Sequence, residues 1–416
     1  MIVTVRVART TAYRVFHFLR EFKWTLLATV NVSTGIAAQF VGIPKLVLVF
    51  TAIFGGVLLS MDVVNKFRDR ARTEFAPRSG DVFRDALDRL APDARFRILT
   101  FRVGTFVHDQ LASEQMRSPQ CETRLAARSY EVPHELRPYG PRFLKHVLER
   151  DRLRFNGPCI GWNTDLADLN SWANGPIELV SGCHFQFVQS DELAMHDVIV
   201  DGRQLPEFGR SLFIKGNGAL RDFRSSWLFN LIGASTIAIT TDGKLVLTEQ
   251  TEANMASKQQ IAPSGSGSAE PQDFRGARQL PIRQLAINAA TRELREEANI
   301  KDGEIGQSYF LGYGRWLDKA ARGELLCVTF LNVDSHALRR RPVRISEKVY
   351  TRRVDPINFK IPVTQWDPVN PQDMLPVEKQ HRMSVPLGAA LSLLAEEAGR
   401  PGSPVLAQLS GMPIAR

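Results

Sequence analysis

The sequence predicts an α+β protein with a mixed β-sheet in its C-terminal half, preceded by an accessory α+β region and an apolar helical hairpin. Three observations predict it. Stretches that alternate apolar and polar residues at the two-residue period of a strand are interleaved with stretches at helical spacing. An apolar tract from Trp24 to Met61 holds a single charged residue, Lys45. Two strand-like runs and a Gly/Ser-rich loop lead into a long helical run, "LPIRQLAINAATRELREEANI".

At 416 residues the chain has room for two or three units of roughly 100–200 residues each. The formal charge of +9 bears on partners, not on fold: nucleic acid, anionic lipid and acidic small molecules all fit it. Much of the excess lies near the N-terminus, which favours lipid, and no nucleic-acid partner is expected. Cys121, Cys159, Cys183 and Cys327 are scattered without a Cys-x-x-Cys pair. That spacing argues against a zinc ribbon and gives no disulfide framework. Reduced thiols in a cytosolic compartment are expected.

Residues 1–23 form a basic leader with Arg6, Arg9, Arg14, Arg20 and Lys23. The tract 24–62 follows. Its first half, "WTLLATVNVSTGIAAQFVGI", has about the roughly 20-residue length of a spanning helix. Its second half, "LVLVFTAIFGGVLLSM", is more apolar. Gly42 and Pro44 mark the turn between them. Lys66, Arg68, Arg70 and Arg72 follow. Basic residues on both flanks put the N-terminus and the C-terminal domain on the cytoplasmic side of a membrane-spanning hairpin. The competing reading is a buried hairpin in a soluble domain.

Residues 63–225 read as a stalk and accessory region. "NKFRDRARTEF" is a basic helix suited to anionic headgroups. "SGDVFRDALDRLA" is an amphipathic helix capped by Ser79 or Asp81. "RFRILTFRVGTFVHD" alternates as one strand, and a loop-rich stretch with Pro119, Pro133, Pro138 and Pro141 follows it. "IELVSGCHFQFVQ" and "HDVIVDGRQL" are strands, the second ending in an Asp201-Gly202 turn. His108-Asp109 and His196-Asp197 are adjacent pairs, but strand neighbours point to opposite faces, so structural roles are expected.

Residues 226–400 carry the chemistry. "LIGASTIAITTDGKLVLTEQT" is two strands joined by Asp242-Gly243, a dipeptide suited to a tight hairpin turn. "APSGSGSAE" is a loop whose small residues would admit a phosphate. The helix opened by Pro281 then buries Leu285, Ala289 and Leu294. It gathers Glu293, Glu296 and Glu297 on one face, three and four residues apart, with Arg292 one turn before Glu296. Asn299 stands where a helix end takes a left-handed residue. Converging carboxylates repel one another, and a hard divalent cation with oxygen ligands would relieve that. Residues 401–416 are a tail.

"RELREEANI" is similar to the Nudix box, whose core is Arg-Glu-hydrophobic-x-Glu-Glu-x-Gly-hydrophobic. The order strand, Asp-Gly hairpin, strand, Gly-rich loop, helix resembles the Nudix fold, an α/β/α sandwich with a mixed sheet. "YFLGYGRW" and "ELLCVTFLNV" look like its later strands and "VPLGAALSLLAEEAG" like its closing helix. The resemblance implies that Glu293, Glu296 and Glu297 bind Mg²⁺ or Mn²⁺, that Arg292 orients them, and that a metal-activated water cleaves a diphosphate. Gly265 and Gly267 would receive substrate, and Tyr313, Arg315 and Trp316 would contact its base or phosphates. The family's upstream Gly and Glu fall at Arg278 and Gln284; Glu270 is the candidate replacement acid. The family's box Gly is Asn299.

The expectation is a membrane-anchored pyrophosphohydrolase acting on a nucleoside diphosphate derivative at the cytoplasmic face; the chain could act as a homo-oligomer. The alternatives are a Nudix-like nucleotide sensor signalling to the hairpin, as in bacterial conflict-system effectors, and a membrane scaffold whose charged helix is a solvated face.

Overall fold

A computed structural model describes residues 73–78, 83–150, 156–166, 175–251, 260–342 and 351–414, with isolated positions besides. The leader 1–23, nearly all of the apolar tract 24–62 and the basic stretch 63–72 lie outside them. Among the described residues no helix is long and apolar enough to cross a membrane.

In chain order the strands and longer helices are β1 (Thr73–Pro77), α1 (Arg84–Leu90), β2 (Phe96–Phe101), β3 (Gly104–Asp109), α2 (Gln110–Arg117), β4 (Glu122–Ser129) and α3 (Gly140–Arg150). Next come β5 (Pro158–Trp162), β6 (Ile177–Cys183), β7 (His196–Val200), β8 (Arg203–Gln204), β9 (Gly233–Ile239), β10 (Leu245–Gln250), β11 (Ile261–Ala262), β12 (Gly265–Ser268) and β13 (Gln279–Pro281). The last are α4 (Ile282–Glu297), β14 (Ile305–Trp316), β15 (Arg322–Leu331), β16 (Thr351–Ile357), α5 (Val385–Gly399) and α6 (Pro404–Ser410). The fold class is α+β with mixed sheets, as expected.

The chain divides into two compact units. One contains a three-stranded antiparallel sheet in the order β1-β7-β8. Its β7–β8 turn is Asp201-Gly202, with φ of 53° and 73°, the positive angles a two-residue hairpin requires.

The larger unit is built on a sheet of order β11-β10-β9-β15-β14-β3-β2, with β12 also paired to β9 and β16 to β10. β9 and β15 run parallel; the other pairings are antiparallel. Both faces are covered by helices, and strand alternation explains how. On β15, Leu325 and Cys327 pack with Leu285, Ala286 and Ala289 of α4. Leu326, Val328 and Phe330 pack with Leu387, Leu391 and Leu394 of α5. Successive side chains point to opposite faces, so a strand buried on both sides reads as a continuous apolar run. Each fully buried Leu, Val or Phe contributes roughly 1.5–3 kcal/mol. Ser384 caps α5 by accepting from the Leu387 N–H.

Several expectations about local structure are corrected. "IELVSGCHFQFVQ" is a strand only as far as Cys183, and His184–Phe187 is a helical turn. "RFRILTFRVGTFVHD" is a hairpin rather than one strand, turning at Arg102 and Val103. A side chain at Gly104 would collide with the Asp318 carboxylate, which accepts the Thr105 N–H at 2.6 Å. This hairpin docks on β14 through Phe106–His108 opposite Gly314–Trp316, so the accessory region supplies two strands of the sheet. The Gly/Ser stretch at 262–270 is not a free loop: Gly265–Ser268 is a strand paired to β9.

The loop-rich stretch holds β4 and α3. β4 runs parallel to β6 within a second sheet, β13-β4-β6-β5. β13 leads directly into α4, and the Ile282 N–H donates to the Cys121 carbonyl at 2.8 Å. The second sheet thereby fixes where α4 begins.

Candidate functional site

The last two turns of α4 present the expected residues. They lie under β12, and glycine is what lets the strand come so close. A Cβ on Gly265 would sit 2.3 Å from the Leu294 backbone nitrogen, and one on Gly267 would sit 2.2 Å from the Glu293 carboxyl carbon. The glycines expected to admit a phosphate instead admit the helix.

Arg292 is the hub. It is 9% exposed. Its Nε and Nη2 donate to the two carboxylate oxygens of Asp273 at 2.8 and 3.1 Å. Its Nη2 also reaches the Ser268 carbonyl at 2.7 Å, and its Nη1 donates to Glu293 Oε1 at 2.7 Å. Glu270 and Glu296 place oxygens 3.7 and 3.8 Å from Nη1. Glu297 is held separately, accepting the Ser266 N–H at 3.0 Å. Behind it the Ser235 hydroxyl lies 2.9 Å from that of Ser266 and donates at 2.7 Å to Glu324, which is fully buried.

One guanidinium therefore faces the carboxylates of Asp273, Glu270, Glu293 and Glu296. Burial works to lower the Arg292 pKa, but Glu293, Asp273 and Glu270 outweigh it and hold the cation above its usual range. Burial pushes the Glu293 carboxyl up to about 7; Arg292 pulls it down, and Glu296 and Glu270 push it further up. Burial likewise raises Glu324, against the pull of Arg322. The cluster is short of positive charge. Among the described residues, however, no three His, Cys, Asp or Glu side chains are grouped so as to hold a metal ion.

The structure thus brings together Arg292, Glu293, Glu296, Glu297, Gly265, Gly267 and Glu270. Arg315 makes its contacts elsewhere: it donates to the carbonyls of Ala321 at 2.7 Å and Arg221 at 3.0 Å and stands 4.5 Å over the Phe223 ring. Tyr313 and Trp316 are buried in the core. Of the departures from the family pattern, Arg278 is exposed. Gln284 donates to Asn288 at 2.9 Å, and Asn288 donates to the Asp273 carbonyl at 2.8 Å. Asn299 has φ 54°, the left-handed helix end expected of it.

Asp273 and Glu324 were not anticipated. Asp273 had a signal: "EPQDF" is a short capped turn in which Asp273 accepts the Glu270 N–H at 2.7 Å. Glu324 had none beyond being the one carboxylate in an apolar strand, two residues after Arg322.

No family model matches this chain, and no curated protein matches it. Among solved structures it is similar to DR0079 from Deinococcus radiodurans, at 14% identity with a TM-score of 0.21. The match covers 30% of this chain and 66% of that one, just under two thirds of that protein's length. A likeness of that size carries no argument about the site, which rests on its own geometry.

Proposed function

We propose that the chain is a membrane-anchored Nudix-type hydrolase whose C-terminal domain is an α/β/α sandwich. It would cleave the diphosphate of a nucleoside diphosphate derivative at the cytoplasmic face, the apolar tract 24–62 serving as its anchor. The observation that carries this reading is a glycine strand pressed onto the Arg-Glu step of a helix. Arg292 is buried and clamped there, with Glu296 half-buried and Glu297 buried on the same two turns.

In donor type and charge, though not in grouping as they stand, the carboxylates of Glu293, Glu296 and Glu297 suit Mg²⁺ or Mn²⁺: they are hard oxygen donors in a cluster with surplus negative charge. When bound, the cation would lower the pKa of a water and offset charge on the diphosphate. The remaining roles belong to the chain. Arg292, fixed by Asp273 and the Ser268 carbonyl, holds the Glu293 carboxylate in one orientation. The Ser266 N–H fixes Glu297.

A nucleotide sensor without turnover is the second reading. It is favoured by the gathering of Glu270, Glu293 and Glu296 around Arg292 rather than around an open cation position. The test is release of phosphate or mononucleotide from a panel of nucleoside diphosphate derivatives with Mg²⁺ or Mn²⁺. Wild type should turn over at least one compound, and Glu296→Gln and Glu297→Gln should each lose on the order of 100-fold or more. Absence of turnover with nucleotide-induced thermal stabilisation retained would select the sensor; absence of both would sink the two readings together.

A further inference from the structure

At the other end of α4 a cleft of ≈ 520 Å³ opens between that helix, β14 and the α5–α6 junction. It lies where the sheet is uncovered. β14 meets β3 only through Gly314–Trp316, so at Ser308–Phe310 it has β15 on one side and the cleft on the other. The volume lies within the roughly 300–1,000 Å³ range of small-molecule sites.

The lining is basic at one end. Arg117, Arg283 and Arg400 face a single lining carboxylate, Glu397. That carboxylate already accepts from Arg117 at 2.5 Å, Ser403 at 2.7 Å and Arg400 at 3.4 Å. Arg283 is exposed, and its one hydrogen bond goes to a neutral group, the Arg117 carbonyl at 3.2 Å. Arg400 is about half exposed and its contacts are all long, 3.3 and 3.4 Å to Glu114 and 3.4 Å to Glu397. Two guanidinium groups thus keep donors for an incoming anion, and guanidinium matches the paired oxygens of phosphate and carboxylate. Ile287, Tyr309, Phe310 and Val405 supply an apolar and aromatic wall.

We propose that this cleft binds a small organic anion of about mononucleotide size, its phosphate or carboxylate between Arg283 and Arg400 and its flat ring against Tyr309. The site is separate from the glutamate cluster and stands independently of the hydrolase reading. It is also physically joined to that cluster. Gln284 lines the cleft and begins a chain of hydrogen bonds through Asn288 and Asp273 to Arg292 and Glu293.

The test is calorimetric titration of the full-length protein, without divalent cation, with AMP, indole-3-acetate, inorganic phosphate and adenosine. AMP or indole-3-acetate should bind, the tighter of the two identifying the head group, and adenosine should not. Arg283→Gln and Arg400→Gln should each weaken binding about tenfold or more, while Glu293→Gln should leave it within about twofold. Arg283 and Arg400 lie at the surface, and unchanged thermal melting of the variants confirms their folding. If neither organic anion binds, the proposal is overturned. It is equally overturned if binding survives both arginine substitutions or disappears in Glu293→Gln, the latter placing the ligand at the glutamates.

Discussion

Gly265 and Gly267 leave room for a strand to lie directly on a helix, and a methyl group at either position has a defined consequence. At Gly265 it would meet the Leu294 backbone, which cannot step aside. Gly265→Ala should destabilise by about 1–3 kcal/mol or more, the range of overpacked sites, read as a fall in the urea midpoint. At Gly267 the obstacle is the end of the Glu293 side chain, so Gly267→Ala should cost less stability but displace that carboxylate. Arg292→Gln would leave Asp273 buried without its cation, and breaking such a pair costs roughly 3–5 kcal/mol in chemical denaturation. The pH response has a separate origin. Burial, helped by Arg97 and Arg117, lowers the His108 pKa to about 3. The neutral imidazole therefore contributes stability that is fully present above its unfolded value, roughly 6.5, and is lost as pH falls toward the folded one. His108→Gln should remove part of the wild-type loss between pH 7.5 and 4.5, a slope of up to about 1.4 kcal/mol per pH unit. Arg292 and its glutamates were legible in the sequence because a helix places residues three and four apart on one face. Asp273 was not, because its partner lies 19 residues away across a turn.

Among the elements, α4 was readable because apolar spacing and an end signal agree, Asn299 closing it at φ 54°; α5 was expected only from the resemblance, and its cap, Ser384, went unread. β9 and β10 were readable from their apolar runs, and β14 and β15 were expected from the resemblance. β12 was not, since Gly-Ser-Gly-Ser has little strand preference and is held by the helix above it and β9 beside it. β4, β5 and β13 escaped for a related reason: their pairings join residues far apart in the chain. The β2–β3 hairpin offers a test at this scale. It docks where Gly314 lets the Phe106 ring approach, and a Cβ there would lie 2.3 Å from that ring. Gly314→Val should undock the hairpin. Amides of residues 96–109 should then exchange with solvent faster, while those of β9 and β15 keep their protection.

For the whole chain, the apolar tract predicts a partition. The full-length protein should float with liposomes, and a chain beginning at Arg78, where the larger unit starts, should stay in the aqueous fraction. Equal behaviour of the two would remove the anchor from the proposal. The docking of β3 on β14 also has a bearing on biosynthesis. Phe106–His108 find their partners at Gly314–Trp316, some 200 residues later. At roughly 5–20 residues per second that interval is on the order of 10–40 s. Through it the nascent chain holds a finished hairpin whose β3 edge has nothing to pair with, and unpaired strand edges recruit other chains. Ribosomes stalled before residue 314 should therefore yield nascent chains that aggregate or retain chaperones, whereas stalling after residue 331 should release them.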